Sequence, residues 1–137
     1  KTIDSIKIGD SASFTKNRYE TDIILYAGIS GDFNPAHIDS EHAKGSMFGQ
    51  RIAHGMLSAG FISNVLGTQL PGPGTIYMGQ ELRFVKPVYV GDTVTATVTA
   101  TQKKFRKKNQ ADPDTVVTNQ RGEKVITGTA TVMPPKG

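Results

Sequence analysis

A carboxylate and an imidazole stand five positions apart in the segment Gly31–Asp39, which reads Gly-Asp-Phe-Asn-Pro-Ala-His-Ile-Asp. Residues on one face of a helix recur every three or four positions, so Asp32 and His37 do not stack on one regular helix. Pro35 lacks a backbone donor and drives Asn34 toward an extended conformation, so the segment must bend. A bend can bring both side chains to one point, where they could perform general acid–base chemistry on a water or a substrate carbon.

The length of the chain indicates one globular domain, because 137 residues suffice for a continuous core. We therefore expect residues 1–137 to form a single domain. The chain has no cysteine, which excludes disulfides, thiolate metal ligands and cysteine nucleophiles and agrees with a cytoplasmic location. No apolar run approaches the roughly 20 residues that span a bilayer, and the first residues lack a signal-peptide hydrophobic region, so no membrane partner is expected.

A basic surplus gives the chain a formal net charge of +4 and a pI near 9.4. Much of it is concentrated in Lys103–Lys108, which reads Lys-Lys-Phe-Arg-Lys-Lys. The simplest interpretation is a solvated hairpin end, and the alternative is a surface that attracts a phosphorylated small molecule or an acidic carrier protein. A nucleic-acid partner is not expected, because neither interleaved aromatic residues nor a helix-turn-helix pattern accompanies the charge.

The most apolar segment of the chain is Ile52–Leu66, and no charged residue occurs between Arg51 and Glu81. A helix that is apolar on nearly all sides is a buried helix. The sequence Leu70–Gly74, with two prolines and two glycines, ends it. A shorter helix is predicted over Thr21–Ala27, with Thr21 or Asp22 as N-cap, and a further helical turn over Ser40–Ala43.

Period-two alternation predicts strands at residues 10–16, 76–84, 93–101, 115–118 and 124–133, with threonines facing outward in the third and the last. Turns at Val90–Asp92 and Asn119–Gly122 separate them. Strands joined by short turns predict an antiparallel sheet. A sheet with one apolar face and one apolar helix predicts an α+β domain, in which a curled antiparallel sheet surrounds a central apolar helix.

Three blocks of the sequence resemble a known family. Tyr26–His37 is similar to the hydratase-2 motif of the MaoC-like, (R)-specific enoyl-CoA hydratases, and Ile52–Leu57 and Leu82–Asp92 agree with that family in the same order. The resemblance implies a hotdog fold, a homodimer and an acyl-CoA thioester substrate. It further implies that water is added to trans-2-enoyl-CoA to give (R)-3-hydroxyacyl-CoA, without a cofactor.

The resemblance also assigns roles to individual residues. Asp32 and His37 become a catalytic pair that acts on one water, although their separate tasks stay open. Gly55 would supply a backbone N–H for the thioester oxygen at the start of the buried helix. Asn34 would orient the bend or contact substrate, and Ser63 would be a polar group near the reacting centre. The alternative for Ser63 is a hydroxyl that bonds back to a helix carbonyl.

The remaining polar residues have simpler interpretations. His54 is expected to form a local hydrogen bond at the helix start, with a ligand or acid role as the alternative, and His42 is expected at the surface. Together with His37 they resemble metal-ligand spacing only loosely, so no metal is expected. Ser58 fits a helix serine that bonds backward, and Gln80 is either a satisfied strand residue or a dimer contact.

Three other functions compete with CoA-thioester hydration. A dehydratase of acyl-carrier-protein thioesters would use the same residues. A hotdog thioesterase generally places an acid on the central helix, whereas residues 52–69 contain neither Asp nor Glu. A non-catalytic acyl-binding subunit would be expected to have lost the acid or the base, and both are present.

Overall fold

The computed structural model describes residues 1–101, 103–104 and 109–135. In this part of the chain, a seven-stranded antiparallel sheet curls around one long helix, which confirms the predicted α+β hotdog architecture. The strands are β1 (Ser11–Asn17), β2 (Ile76–Phe84), β3 (Thr93–Thr99), β4 (Lys103–Lys104), β5 (Gln110–Ala111), β6 (Asp114–Thr118) and β7 (Lys124–Met133). The helices are α1 (Glu20–Ser30), α2 (Pro35–Ile38), α3 (Ser40–Lys44) and α4 (Gly55–Thr68).

The sheet has the order β1-β3-β6-β7-β5-β4, and β2 pairs with β7 off this path. The predicted hairpin at Asn119–Gly122 joins β6 to β7, with a hydrogen bond from the Asn119 N–H to the carbonyl of Glu123. Val90–Asp92 forms a turn before β3, but β2 and β3 are not neighbours, because β2 pairs with β7 instead. The two-residue strands β4 and β5 were not predicted, since segments that short carry no periodicity.

The alternation of β3 directs its valines and its alanine into the core and its threonines away from it. Val94 and Val98 are fully buried, while the hydroxyl of Thr95 forms a 2.8 Å hydrogen bond with that of Thr15 on β1. Helix α4 packs against β1, β2, β3 and β6, and buries Ile62 in the core. The central position predicted for the apolar helix is therefore confirmed.

Helix α4 begins at Gly55, as predicted, whereas α1 differs from its predicted bounds. Ile52 lies in an extended bridge with Tyr89, and the Ala53 N–H donates to the Val88 carbonyl, so the first residues of the apolar segment precede α4. Helix α1 begins at Glu20 and ends at the left-handed Gly31. Neither Thr21 nor Asp22 is therefore the N-cap, because both lie in the first turn and Tyr19 takes that position. The Asp22 carboxylate accepts the N–H of Tyr19 over 3.0 Å.

One hydrophobic core runs from Ile3 near the start of the chain to Val132 in β7. No helix in the described ranges is both long and apolar enough to cross a bilayer. The basic segment Lys103–Lys108 falls largely outside the described residues, as do all of its side chains.

Candidate active site

The predicted bend is formed by the end of one helix and the start of the next. Gly31 ends α1 with a positive φ of 79°, and Pro35 occupies the first turn of α2. Between them, the Asp32 carboxylate accepts the backbone N–H of Asn34 over 3.1 Å. The Asn34 side chain in turn accepts the N–H of Ala36 over 3.0 Å, which caps α2. Asp32 thus lies in the turn, three residues before Pro35 begins α2, the helix that carries His37.

The ring orientation of His37 is fixed through Nδ1. Its Nδ1 lies 2.7 Å from the carbonyl oxygen of Ile52, and a carbonyl can only accept. Nδ1 therefore carries a proton, and in the neutral tautomer Nε2 is a hydrogen-bond acceptor. The Arg51 Nε–H donates to the His37 carbonyl over 2.6 Å, which fixes the backbone of α2 as well. Only 9% of His37 is exposed.

His54 contacts both His37 and Asp32. Its ring stacks on that of His37 with centroids 3.9 Å apart and an angle of 29° between the planes. Its Nε2–H donates to the main-chain carbonyl of Asp32 over 2.9 Å, across 22 positions of sequence, so the expectation of a local hydrogen bond was wrong. The ring of Tyr26 packs on it, with centroids 4.8 Å apart. The buried Nδ1 has no partner among the described residues.

The structure brings the predicted acid and base together. A carboxylate oxygen of Asp32 and one ring nitrogen from each of His37 and His54 all lie within 4.8 Å of one another. Such a group meets the distance requirement of a metal centre, but a metal ion binds in the ring plane of each histidine. Two stacked rings hold their lone pairs in two separate planes, which disfavours joint coordination. The absence of a metal stays a prediction.

These groups line a cavity of about 510 Å³ between the α1–α2 turn and the end of β2. Gly55 opens α4 at its wall, where the first N–H groups of a helix lack partners within the helix and the dipole is positive. The ring of Phe84 lies directly over this glycine: a Cβ built on Gly55 would come within 2.5 Å of the Phe84 Cε1. A side chain at this position would therefore displace the ring from the cavity wall.

Two predicted substrate-binding residues lie outside this cavity. Asn34 is exposed and its side chain caps α2, which agrees with the role of orienting the bend. Ser63 is exposed on α4 and does not line the cavity. A substrate contact by either residue stays a prediction. His42 is exposed, as expected. Gln80 is satisfied within the chain, because its side-chain amide donates to the Thr115 hydroxyl over 2.9 Å.

The sequence interpretation missed Ser58 as a cavity residue. Ser58 is 1% exposed, lines the cavity and accepts a 2.9 Å hydrogen bond from Nη2 of Arg18. The predicted backward bond to a helix carbonyl is thus replaced by a bond to a distant arginine. Ser58 lies three positions after Gly55, and this helical spacing was the available signal that both face the same side of α4.

The fold and this site define a MaoC-like domain. The family profile described as "MaoC like domain" matches residues 4–123, and the chain belongs to this family. It is 54% identical to an (R)-specific enoyl-CoA hydratase from Rhodospirillum rubrum, over 96% of this chain and 90% of that protein.

Solved structures agree with this assignment. The R-hydratase PhaJ1 from Pseudomonas aeruginosa, unliganded, superposes with a TM-score of 0.92 at 42% identity, covering 99% of this chain and 86% of that one. An (R)-hydratase from A. caviae involved in PHA biosynthesis superposes with a TM-score of 0.91 at 41% identity, covering 96% of this chain and 98% of that one.

Proposed function

We propose that this protein is an (R)-specific enoyl-CoA hydratase, a hydro-lyase that adds water reversibly to trans-2-enoyl-CoA and gives (R)-3-hydroxyacyl-CoA. The observation that carries the proposal is the convergence of the Asp32 carboxylate and the His37 imidazole within 4.8 Å in one cavity. The activity named for the Rhodospirillum rubrum and Aeromonas caviae relatives supports it.

The pair is built to hold and deprotonate one water. An ionised Asp32 and the unprotonated Nε2 of His37 are both acceptors, and a water has two protons, so one water can donate to both. As the water oxygen bonds to the β-carbon of the substrate, one proton passes to the pair and the π electrons move toward the thioester. The pair then returns that proton to the α-carbon. General acid–base assistance of this kind is typically worth ~10²–10⁴-fold in rate.

Negative charge collects on the thioester oxygen between these two proton transfers. Gly55 begins α4 and lines the same cavity, so its N–H can donate to that oxygen at the positive end of the helix dipole. Gly55 has no side chain of its own beside this N–H, which favours a close approach of the oxygen. A donor aimed at developing charge is typically worth ~10²–10³-fold in rate.

The same proposal includes the molecular setting of the enzyme. Residues 1–137 would act as a single MaoC-like domain, supported by one core from Ile3 to Val132. A cytoplasmic location is part of the proposal, and the bacterial hydratase relatives support it. Ser63 would be a polar group near the reacting centre, as the family resemblance implies, and Asn34 would orient the bend or contact substrate.

A homodimer would cover the free edge of β2. In the described sheet, β2 pairs only with β7, and an unpaired apolar edge is a template for pairing with another chain. Large apolar residues of this strand are exposed, namely Ile76, Tyr77, Met78 and Phe84. Light scattering after gel filtration should give twice the chain mass, and Met78→Lys should shift the mass toward one chain. A wild-type mass of one chain would refute the dimer.

The decisive experiment follows the loss of the conjugated enoyl thioester absorbance with crotonyl-CoA and longer trans-2-enoyl-CoA substrates. We expect hydration with an (R)-3-hydroxy product by chiral analysis. Faster turnover of the matching acyl-carrier-protein thioester would assign the dehydratase of that carrier instead. Release of free thiol without hydration would assign a thioesterase, and binding without either reaction would assign a non-catalytic subunit.

A further inference from the structure

A buried arginine lies directly behind the cavity. Arg18, just after β1, is 0% exposed, and it is anchored by its backbone N–H, which donates to the Asp92 carbonyl over 2.6 Å. Its guanidinium lies over the Phe61 ring, with Cζ 4.6 Å from the centroid. One side-chain hydrogen bond is described for it, from Nη2 to the Ser58 hydroxyl over 2.9 Å. Nε and Nη1 are buried without a partner among the described residues.

This arrangement is costly as a purely structural feature. A buried charge requires paired and hydrogen-bonded surroundings, and an apolar side chain of similar volume is often as stable or more stable. Burial lowers the pKa of Arg18, and the Asp22 carboxylate opposes that shift. The Asp22 carboxylate itself is bonded to Lys16 over 2.9 Å. Among the described residues, the only side chain that receives a hydrogen bond from the Arg18 guanidinium is therefore the cavity serine.

In the bond from Arg18, the Ser58 hydroxyl is the acceptor. A hydroxyl has one proton to donate and accepts through its lone pairs. Because Arg18 occupies a lone pair from the protein side, the Ser58 proton is left free to donate toward the cavity that this residue lines. Side chains of a helix lean toward its N-terminus, so this hydroxyl lies toward the turn that begins with Gly55.

We propose that Ser58, oriented and polarised by Arg18, is a second hydrogen-bond donor to the thioester oxygen, alongside the Gly55 N–H. Arg18 is the positioning residue and Ser58 is the group that touches substrate. The inference rests on the proposed hydratase function. As the water oxygen bonds to the β-carbon, the thioester oxygen gains negative charge, and a hydroxyl backed by a cation strengthens its hydrogen bond as that charge grows. The proton of Ser58 is shared in this bond and is not transferred.

The test measures kcat and KM for crotonyl-CoA hydration by wild type, Ser58→Ala, Arg18→Met and the double variant. Ser58→Ala is expected to lower kcat by ~10- to 100-fold with KM within about threefold, because the lost bond strengthens in the transition state. Arg18→Met keeps the length of the stem and removes the charge, and should lower kcat by about tenfold. The double variant should match Ser58→Ala, because Arg18 acts through Ser58.

Controls separate this role from folding. Thr68→Ala removes a hydroxyl from the exposed end of the same helix, and Arg121→Met removes a guanidinium from the β6–β7 hairpin. Both should keep wild-type kcat. Thermal unfolding monitors the fold of every variant. Arg18→Lys should have a kcat about threefold higher than that of Arg18→Met, because lysine restores the charge. If Arg18→Met does not fold, the kcat values of Ser58→Ala and Arg18→Lys test the proposed roles of Ser58 and Arg18.

The outcomes distinguish the two proposals. Wild-type hydration with an unchanged kcat in a folded Ser58→Ala variant would overturn the role of Ser58 and leave the hydratase function in place. Additive losses in the double variant would overturn the coupling to Arg18. A wild-type protein that does not hydrate any enoyl-CoA substrate would overturn the hydratase function, and the inference with it.

Discussion

The imidazole of His54 stacks on that of His37 at 3.9 Å and, through its Nε2–H, holds the main-chain carbonyl of Asp32 at 2.9 Å. One side chain thereby fixes both members of the proposed catalytic pair, the imidazole through its face and the carboxylate residue through its backbone. With only 2% of His54 exposed, neither contact competes with bulk water. The distance between acid and base therefore depends on a residue that has no direct part in the proton transfers.

Replacing His54 with Phe should separate the stacking on His37 from the hydrogen bond to the Asp32 carbonyl. Phenylalanine keeps an aromatic ring against His37 but cannot donate to the Asp32 carbonyl. A buried acceptor left unsatisfied costs roughly 1–3 kcal/mol, and we expect the α1–α2 turn to shift rather than bear that cost. Steady-state kinetics should show kcat reduced by ~10- to 100-fold. His42→Phe, at an exposed position of α3, is the matched control and should keep full activity. A fully active His54→Phe variant would show that the turn holds its position without this bond.

Asp32→Asn and His37→Ala should each abolish hydration and leave the fold intact. Both remove a proton acceptor from the proposed water site, and the expected loss of kcat/KM is ~10²–10⁴-fold. Asp32 is exposed, so its replacement should not change the thermal midpoint. Wild-type activity in either variant would falsify the assignment of that residue. Circular dichroism and thermal unfolding identify any variant whose loss of activity comes from unfolding.

The strands and the bend were predictable because their signals are local. Thr93–Thr99 alternates strictly in sequence and in burial, and Lys124–Met133 has the predicted bounds. The bend at Asp32 was predictable from the stereochemistry of Pro35, and the left-handed Gly31 contributes to it. The pairing of β2 with β7 was not predictable in this way, because strand partners some fifty positions apart leave no trace in period-two alternation.

The residues that position the site, His54 and Arg18, were harder to predict than Asp32 and His37. His54 bonds to a main-chain carbonyl, and a carbonyl is present at every residue, so no side-chain pattern marks its partner. Arg18 stands between Asn17 and Tyr19 in a polar stretch, where an arginine is ordinarily solvated. Only the packing of α4 over the end of β1 reveals that this one is fully buried.

Gly55→Ala should impair catalysis more than stability. Its Cβ would come within 2.5 Å of the Phe84 Cε1, and Phe84 is 54% exposed, so the ring can rotate away at the expense of the cavity wall. We expect kcat/KM to fall by at least ~10-fold, because access to the Gly55 N–H changes. Gly60→Ala on the same helix is the matched control, since nothing lies within 4 Å of its Cβ. That control should gain roughly 0.5–1 kcal/mol of stability and keep its activity.

Gly128→Ala should destabilise the sheet. Gly128 pairs with Leu82 across β2 and β7, and a Cβ there would lie 1.9 Å from the carbonyl oxygen of Glu81, which is backbone and cannot rotate away. Relieving that overlap requires the strands to separate locally, at roughly 1–3 kcal/mol or more. Gly79→Ala in the same strand pair is the control, because its nearest neighbour is 3.9 Å away. Denaturant titration should show a lower midpoint for Gly128→Ala alone, and equal midpoints would contradict the close approach.

The stabilising effect of Glu123 should depend on pH. Hydrogen bonds from Lys86, Asn119 and Arg121 lower the pKa of its carboxyl from 4.5 to about 2. Below pH 4.5 the unfolded chain binds a proton that the folded chain refuses, so the stabilisation is complete above that pH and declines as pH falls toward 2. The gap in thermal midpoint between wild type and Glu123→Gln should therefore be constant from pH 8 to about pH 6 and narrow toward pH 3. The two cationic partners, Lys86 and Arg121, are exposed to solvent, so 1 M salt should screen their attraction to Glu123 and shrink the gap in thermal midpoint at pH 7. A gap that is independent of pH would mean that the carboxylate gains nothing from its three partners.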